Sequence, residues 1–476
     1  MQRHLVLLSL LTLLLWAPSV TAAPKRPSFT TEEELLAYSA SWKEQHPNEG
    51  PEWDNELIES WEVLQLRGIT TLSPEEALLL GKMEARYLYL NDLKTLDAET
   101  AKNLSTFRGL EVHLESLRAL DEETAAQLAL LPKTEGYQSS LSLDGLTQLE
   151  AATAKKLAAW EGGELSLDGL RGLDVATAGA LSAFGGAVLL LNGLTSLEAA
   201  TAKALLQRQR QNLSLRGVKA LSVEAAAEFA AWPVNEGRYA ELHMEGVQEL
   251  EAAAAELLAK APVNELHLGV RRLTPGAAEK LAAFPGKRLY LDGLTELDAK
   301  TAEKLFAWGG EVLSLNRLKK ISAATAEEMT YFQGEELSLN GVTAIDAGLA
   351  PLAEWGGKRL SLDGVKALNA KGAGVLGLFT VRALSLHGLQ RLSASAAKRL
   401  AGYQGYELSM NQVKTLSKDV VAGLLLWRGS SLYITGVTGV TEATEQILEQ
   451  EGRWFSLYLQ GEGFYYKTEG IWCTNH

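Results

Sequence analysis

Short bursts of alternating apolar and polar residues recur along this chain at nearly even spacing. Leu141, Ser142 and Leu143 form one burst, and Leu165, Ser166 and Leu167 form the next. The stretches that follow them, LTQLEAATAKKLAAWEGG and LRGLDVATAGALSAFGG, are near copies of each other. With the first apolar residue of each burst as a phase mark, the series begins Leu64, Leu88, Val112, Leu141, Leu165, Leu189, Leu213, Leu242 and Leu266. It continues through Leu289, Leu313, Leu337, Leu360, Leu384, Leu408, Leu432 and Leu457. The step is 23 to 25 residues throughout, apart from two steps of 29. A fixed period in that range predicts a solenoid of stacked supersecondary units.

Each position of the unit has a physical task. The alternation over 141–143 predicts a short strand with both leucines inward and the serine on the outer face, where nothing about packing fixes it. Asp144-Gly145 predicts a turn, with glycine in a left-handed conformation and aspartate bonded to an amide just downstream. Leu146 and Leu149 step back inward. Next comes a position held by Ser, Thr, Asp or Asn (Ser73, Asp97, Asp174, Thr274, Asn369 and Ser417 among others), residue types that cap helices. Pro74 and Pro275 follow two of these caps at the first helical position. Ala154, Leu157 and Trp160 predict the inner face of the helix, and Gly162-Gly163 its end.

That order of positions resembles the leucine-rich repeats over roughly residues 62–460. The spacing is most similar to the cysteine-containing class, L-x-L-x-x-C-x-x-[IL]-[TDS]-x-x-[AG]-x-x-L-A. Leu146, Leu170, Leu194, Val218, Val247, Leu294, Val342 and Val365 stand in place of the cysteine. The resemblance implies an α/β solenoid of about 17 coils, with a curved parallel sheet on one face and helices on the other.

The ends of the chain read differently. Residues 1–22 have the order of a secretory signal: Arg3, an apolar run from Leu5 to Ala17, then Val20-Thr21-Ala22 as a small-residue cleavage site. Cleavage there leaves no long apolar run that could span a membrane, and no cysteine stands near the site to carry a lipid. A secreted or periplasmic location follows. Residues 23–61 are expected to cap the first coil, with a helix over Thr30–Gln45; residues 62–456 form the array. Residues 457–476 hold the last strand and an aromatic C-terminal cap, with Tyr458, Phe464, Tyr465, Tyr466 and Trp472.

Charge and cysteine content narrow the partners. With 59 acidic and 45 basic residues the net charge is −14, which argues against nucleic acid and anionic membranes, both of which need a basic field. Cys473 is the single cysteine, so an intramolecular disulfide is excluded and only pairing between chains is open to it.

An aromatic column recurs at one phase: Phe107, Trp160, Phe184, Trp232, Trp308, Phe332, Phe379, Tyr403 and Trp427. Its fixed position predicts core filling rather than a sugar platform. Two columns on the outer strand face are mostly Ser and mostly Asp or Asn. A calcium ladder is one reading of the second, but Asp-Gly and Asn-Gly are what tight turns favour without any metal. No metal or cofactor is predicted. His243 and His267 share a column in adjacent coils, yet strand positions are expected to splay in parallel rather than converge as zinc ligands. H-E-x-x-H, G-x-S-x-G and phosphate-loop motifs are absent from the sequence, which argues against an enzyme.

The binding patch is expected where the repeat loses its regularity. Between Leu213 and Leu291 the background Ser and Asp/Asn give way to Arg216, His243, Glu245, His267 and Tyr290, with Glu241, Glu265 and Arg288 alongside. The second 29-residue step, carrying PVNEGRYA (233–240), lies beside this region. The first, with PKTEGYQ (132–138), borders a secondary patch of Tyr89, His113 and Glu115. Insertions in solenoids often border the binding face. The sequence therefore reads as an exported, non-catalytic scaffold recognising a protein or cell-surface polymer. A structural envelope protein that self-associates edge to edge is the alternative.

Overall fold

The computed structural model describes residues 28–45, 62–133, 139–208, 212–233 and 239–437, and the short strands Ser456–Tyr458, Tyr466–Thr468 and Ile471–Cys473. The leader at 1–22, the insertion tips at 134–138 and 234–238, and the side chains of the aromatic C-terminal segment lie outside the described residues.

Seventeen short strands form one parallel sheet in which each phase-mark residue pairs with the next. Leu64 pairs with Leu88, Leu141 with Leu165 and Leu432 with Leu457. The two long steps do not disturb this register: Val112 still pairs with Leu141, and Leu213 with Leu242. Their extra residues are confined to the connections, because a one-residue slip would turn every buried leucine outward. The leucines on both sides of each outer residue, such as Leu141 and Leu143, are fully buried.

On the other side of the core each coil among the described residues carries one short helix, usually of seven residues, as in Ala151–Leu157 and Ala299–Leu305. Asp174 caps its helix by accepting from Thr177 N at 2.8 Å. The Thr177 hydroxyl, in the first turn, lies between Asp174 Oδ2 at 3.0 Å and the Leu149 carbonyl of the preceding coil at 3.2 Å, and so links the helix start to its neighbour. Ser73 and Glu76 form a complete capping box, with Pro74 at the first helical position. The cap position is Glu150, Glu198 and Glu251 in three coils, and there no side-chain cap bond forms. In one coil Pro351 falls inside the helical segment, where its ring would clash with the Ala347 carbonyl of an α-helix, and Ala347–Glu354 winds as a 3-10 helix.

The recurring aromatics lie in the core, and the column also includes Phe284 and Trp355. Trp160, Trp308 and Trp355 are at most 2% exposed. From Phe284 through Trp308 and Phe332 to Trp355 the rings stack with centroids 6.0 to 6.3 Å apart. Trp308 Nε1 donates to the Phe284 carbonyl at 2.8 Å, and Trp355 Nε1 to that of Phe332 at 2.9 Å. These two indoles thus satisfy their polar atoms on the coil before them, whereas Trp232 Nε1 is buried without a partner.

Two expectations about glycine need correction. Among the described residues the glycine with positive φ is Gly68, so the Asp-Gly and Asn-Gly turns do not use left-handed backbone. Close stacking requires glycine there instead: a Cβ on Gly193 would lie 2.1 Å from the Asp168 carbonyl oxygen of the previous coil. Nor do Gly162-Gly163 end the helix, which already stops at Leu157. Gly162 is small because the Trp160 ring crosses it, where a Cβ would come within 2.0 Å.

At the N-terminal end, helix Glu32–Gln45 lies against the first coil. Leu35 is fully buried, and Ser39 Oγ accepts from Gln65 N on the first strand at 3.0 Å. Thr31 Oγ1 accepts from Glu34 N, and the Glu34 carboxylate accepts from Thr30 N and Thr31 N, closing the start of the helix. At the other end, Ser456–Tyr458 adds the last parallel strand, while Tyr466–Thr468 and Ile471–Cys473 pair antiparallel.

Candidate functional site

The outer strand face is built around a ladder of side chains that the sequence reading did not foresee. Asp144 does not bond to its own downstream amide. Its Oδ1 accepts from Asp168 N of the next coil at 2.8 Å and from Ser166 Oγ at 2.6 Å. Asn316 does the same for Asn340 N and Ser338 Oγ, and Asp363 for His387 N and Ser385 Oγ. The serine column is therefore fixed by packing after all: Ser166, Ser314 and Ser385 are buried, their hydroxyls spent on the preceding coil. Parallel strands about 4.8 Å apart bring each turn oxygen level with the next coil's amide and hydroxyl. The sequence carried the signal as a pairing between columns, Asp or Asn in one coil and Ser in the next.

The ladder stops at Arg216, Glu245 and Gly269, and in the three following coils rings replace serine. His243 and His267 stack at 4.1 Å between centroids, and His267 and Tyr290 at 4.0 Å with planes 5° apart. Their flanks are charged. His243 Nε2 lies 3.2 Å from Glu241 Oε2 and its Nδ1 lies 3.2 Å from Glu245 Oε1. His267 Nε2 lies 3.2 Å from Glu265 Oε2. Arg216 Nε donates to Glu245 Oε1 at 3.1 Å, and Arg288 Nη1 to Glu265 Oε1 at 3.0 Å. All eight residues singled out in the sequence thus share one continuous patch. Tyr239, which the sequence reading passed over, joins them from the edge of the second insertion by donating to Glu265.

The two stacked imidazoles differ in basicity. Burial pulls His243 down, but Glu245 and Glu241 outweigh it and raise the ring above its ordinary value. Burial and the neighbouring His243 charge lower His267. Glu245 is pushed up by burial, yet its bond to His243 leaves it below the ordinary carboxylate range. A second positive charge beside the first is disfavoured at this separation, so the shifts of the two rings run in opposite directions. The expectation that these strand positions splay apart is corrected: donor atoms of His243, Glu245 and His267 all lie within 4.8 Å of one another.

The secondary patch repeats the arrangement on a smaller scale. Tyr89 stacks on His113 at 4.4 Å, and His113 lies between Glu111 at 3.0 Å and Glu115 at 3.3 Å. Burial pulls this imidazole down, but the two carboxylates more than compensate and hold it at about 9. A folded value above the ordinary one of about 6.5 places His113's stabilising contribution below about pH 6.5, to be lost as pH rises through about 9. Titration of the imidazole resonances should show His113 still protonated at neutral pH. A midpoint near 6.5 would show that the carboxylates do not hold it.

A third feature, also unforeseen, lies where the ladder ends a second time, at His387. Arg359, His387, Glu407, Asn411 and Tyr433 help line a depression of about 340 Å³ on the strand face. Arg359 Nη2 approaches Glu407 Oε2 at 3.7 Å across it. Asn91 and Asn411, each followed by a ring instead of serine, have side-chain oxygens that are buried without a partner. That is the cost of breaking the column pairing.

Strand, turn, helix and aligned leucines define a leucine-rich-repeat solenoid of about 17 coils. Among solved structures it is similar to TLR13 in its complex with ssRNA13 (16% identity, 86% of this chain and 68% of that one, TM-score 0.44). It is also similar to the mouse RP105/MD-1 complex (14% identity, 85% and 70%, TM-score 0.45). A third similarity is to the internalin inlF of Listeria monocytogenes (14% identity, 72% and 83%, TM-score 0.31). At such identities none of the three bears on ligand or activity. No protein-family model matches the chain, and no curated protein matches it. Among the described residues no helix is long and apolar enough to cross a membrane.

Proposed function

We propose that this chain is an exported, non-catalytic scaffold that recognises a protein or cell-surface polymer through its strand face, centred on His243, His267 and Tyr290. Export rests on the pattern of residues 1–22. The reading of the face rests on one observation above all: the ladder consumes the hydrogen-bonding groups of the regular coils, and where it is interrupted at Arg216, Glu245 and Gly269 the face carries the charged groups of Arg216, Glu241, Glu245, Glu265 and Arg288 instead. Arg216 and Arg288 keep about half of their side-chain surface exposed, at 54% and 45%. Tyr and Arg at the centre of a patch are residue types that anchor interfaces.

The test uses a partner recovered from cell-envelope material with the parent chain. Changing His243, His267 and Tyr290 together to Ser, the residue of the regular coils, should weaken its binding at least about tenfold, as loss of one anchoring side chain does. The far-ultraviolet circular dichroism should be unchanged. Unaltered affinity would place the site elsewhere, first at Tyr89, His113 and Glu115.

A further inference from the structure

Beyond partner binding, the same coils hold the parts of a metal site. We infer that His243, Glu245 and His267 bind one divalent transition ion of the zinc type. Two imidazoles and one carboxylate are a donor set suited to zinc, nickel or copper, and poorly suited to calcium or magnesium, which take oxygen donors. Three protein ligands also leave a position open for water or for a group on a bound partner.

The spacing is close to what such an ion requires. Bonds of about 2.0–2.1 Å in a tetrahedral shell place neighbouring donors about 3.3 Å apart. Glu245 Oε1 lies 3.2 Å from His243 Nδ1 and 4.0 Å from His267 Nδ1. The supporting carboxylates are in place as well. Glu241 and Glu265 each hold the Nε2 side of one imidazole at 3.2 Å. This is the arrangement in which a histidine donates its far N–H to a carboxylate and turns its other nitrogen toward a metal. Glu245 Oε2 is buried and has no hydrogen-bond partner.

Two adjustments accompany binding. A metal must lie in the plane of each ring it bonds, so the stacked imidazoles, now 24° from parallel, have to fan further apart. The Arg216 guanidinium, which bonds to Glu245 Oε1 and lies 3.4 Å from His243 Nδ1, has to swing outward on its exposed stem. The His113 patch has the same flanking carboxylates but a single imidazole, and so provides an internal control.

Calorimetric titration of the full chain with zinc chloride, in the absence of any partner, tests the inference independently of the binding function proposed above. Saturable binding is expected, and both His243→Ser and His267→Ser should remove one equivalent of ion or weaken that step at least about tenfold, while His113→Ser leaves it intact. Cobalt should give a visible absorption band in the parent chain that both variants lose, provided circular dichroism shows them folded. Absence of saturable zinc binding, persistence of the step in either variant, or equally tight binding of calcium would overturn the inference.

Discussion

Trp308→Ala is expected to destabilise the array by ~3–5 kcal/mol, the usual cost of emptying a large buried aromatic site. Three losses combine. The indole is 1% exposed, it stacks between Phe284 and Phe332, and its N–H satisfies the Phe284 carbonyl. Trp308→Phe separates them, because phenylalanine already fills this column at Phe184 and Phe332. That variant should cost less, with about 0.5–1.5 kcal/mol for the lost hydrogen bond plus the smaller volume. Urea unfolding followed by near-ultraviolet circular dichroism distinguishes them. An unchanged midpoint in the alanine variant, with altered ligand binding, would make the column a binding platform.

The second large effect concerns the ladder. Asp292→Ala should cost roughly 2–6 kcal/mol, because it leaves two donors without an acceptor, each worth ~1–3 kcal/mol when buried. Those donors are Ser314 Oγ, 2.6 Å from Asp292 Oδ1, and Asn316 N at 2.9 Å. Asp292→Asn should be close to neutral, since Asn316 performs the same task for Ser338 and Asn340 in the next coil. Unfolding midpoints and hydrogen exchange at the Asn316 amide report on both. Equal stability of the alanine and asparagine variants would show that the ladder contributes nothing.

Much of the architecture was legible because the core repeats. A leucine at Leu141 and another at Leu165 serve the same place one strand apart, so period alone aligned every coil, and the two long steps could be assigned to connections. The caps were legible for the same reason: Asp97, Asp174 and Ser417 each sit one residue before a helix and bond into its first turn. What escaped were relations between coils. The glycine of each turn looks like a choice of backbone conformation until a second coil's carbonyl is set 2 Å from where its Cβ would be, as Gly193 and Gly169 show with Asp168 and Asp144. Ser166 looks like a free surface residue until Asp144 of the previous coil is seen to take its hydroxyl.

That the eight residues lie side by side was legible as a departure from the repeat, but their internal chemistry was misjudged. His243 and His267 point the same way from parallel strands, which suggested that their nitrogens keep apart. Strand spacing brings whole rings into stacking distance instead, and a glutamate two residues along, Glu245, reaches both. Tyr239 was passed over because it belongs to a connection, where no repeat fixes its place.

The ladder also says which parts of the chain are interchangeable. Every regular coil presents the same acceptor to its successor and asks for the same one from its predecessor. A coil lifted out between Asp292 and Asn340 would leave ends that still fit, as would an extra copy inserted there. Growth by duplication and loss by deletion are therefore cheap in these runs, and lengths could drift among descendants of one array. The coils of His243, His267 and Tyr290 obey no such rule, since their rings stack on one another in place of the ladder. They form a keyed joint between two stretches of exchangeable parts, and a lineage that shuffles its coils freely on either side should keep those together and in order.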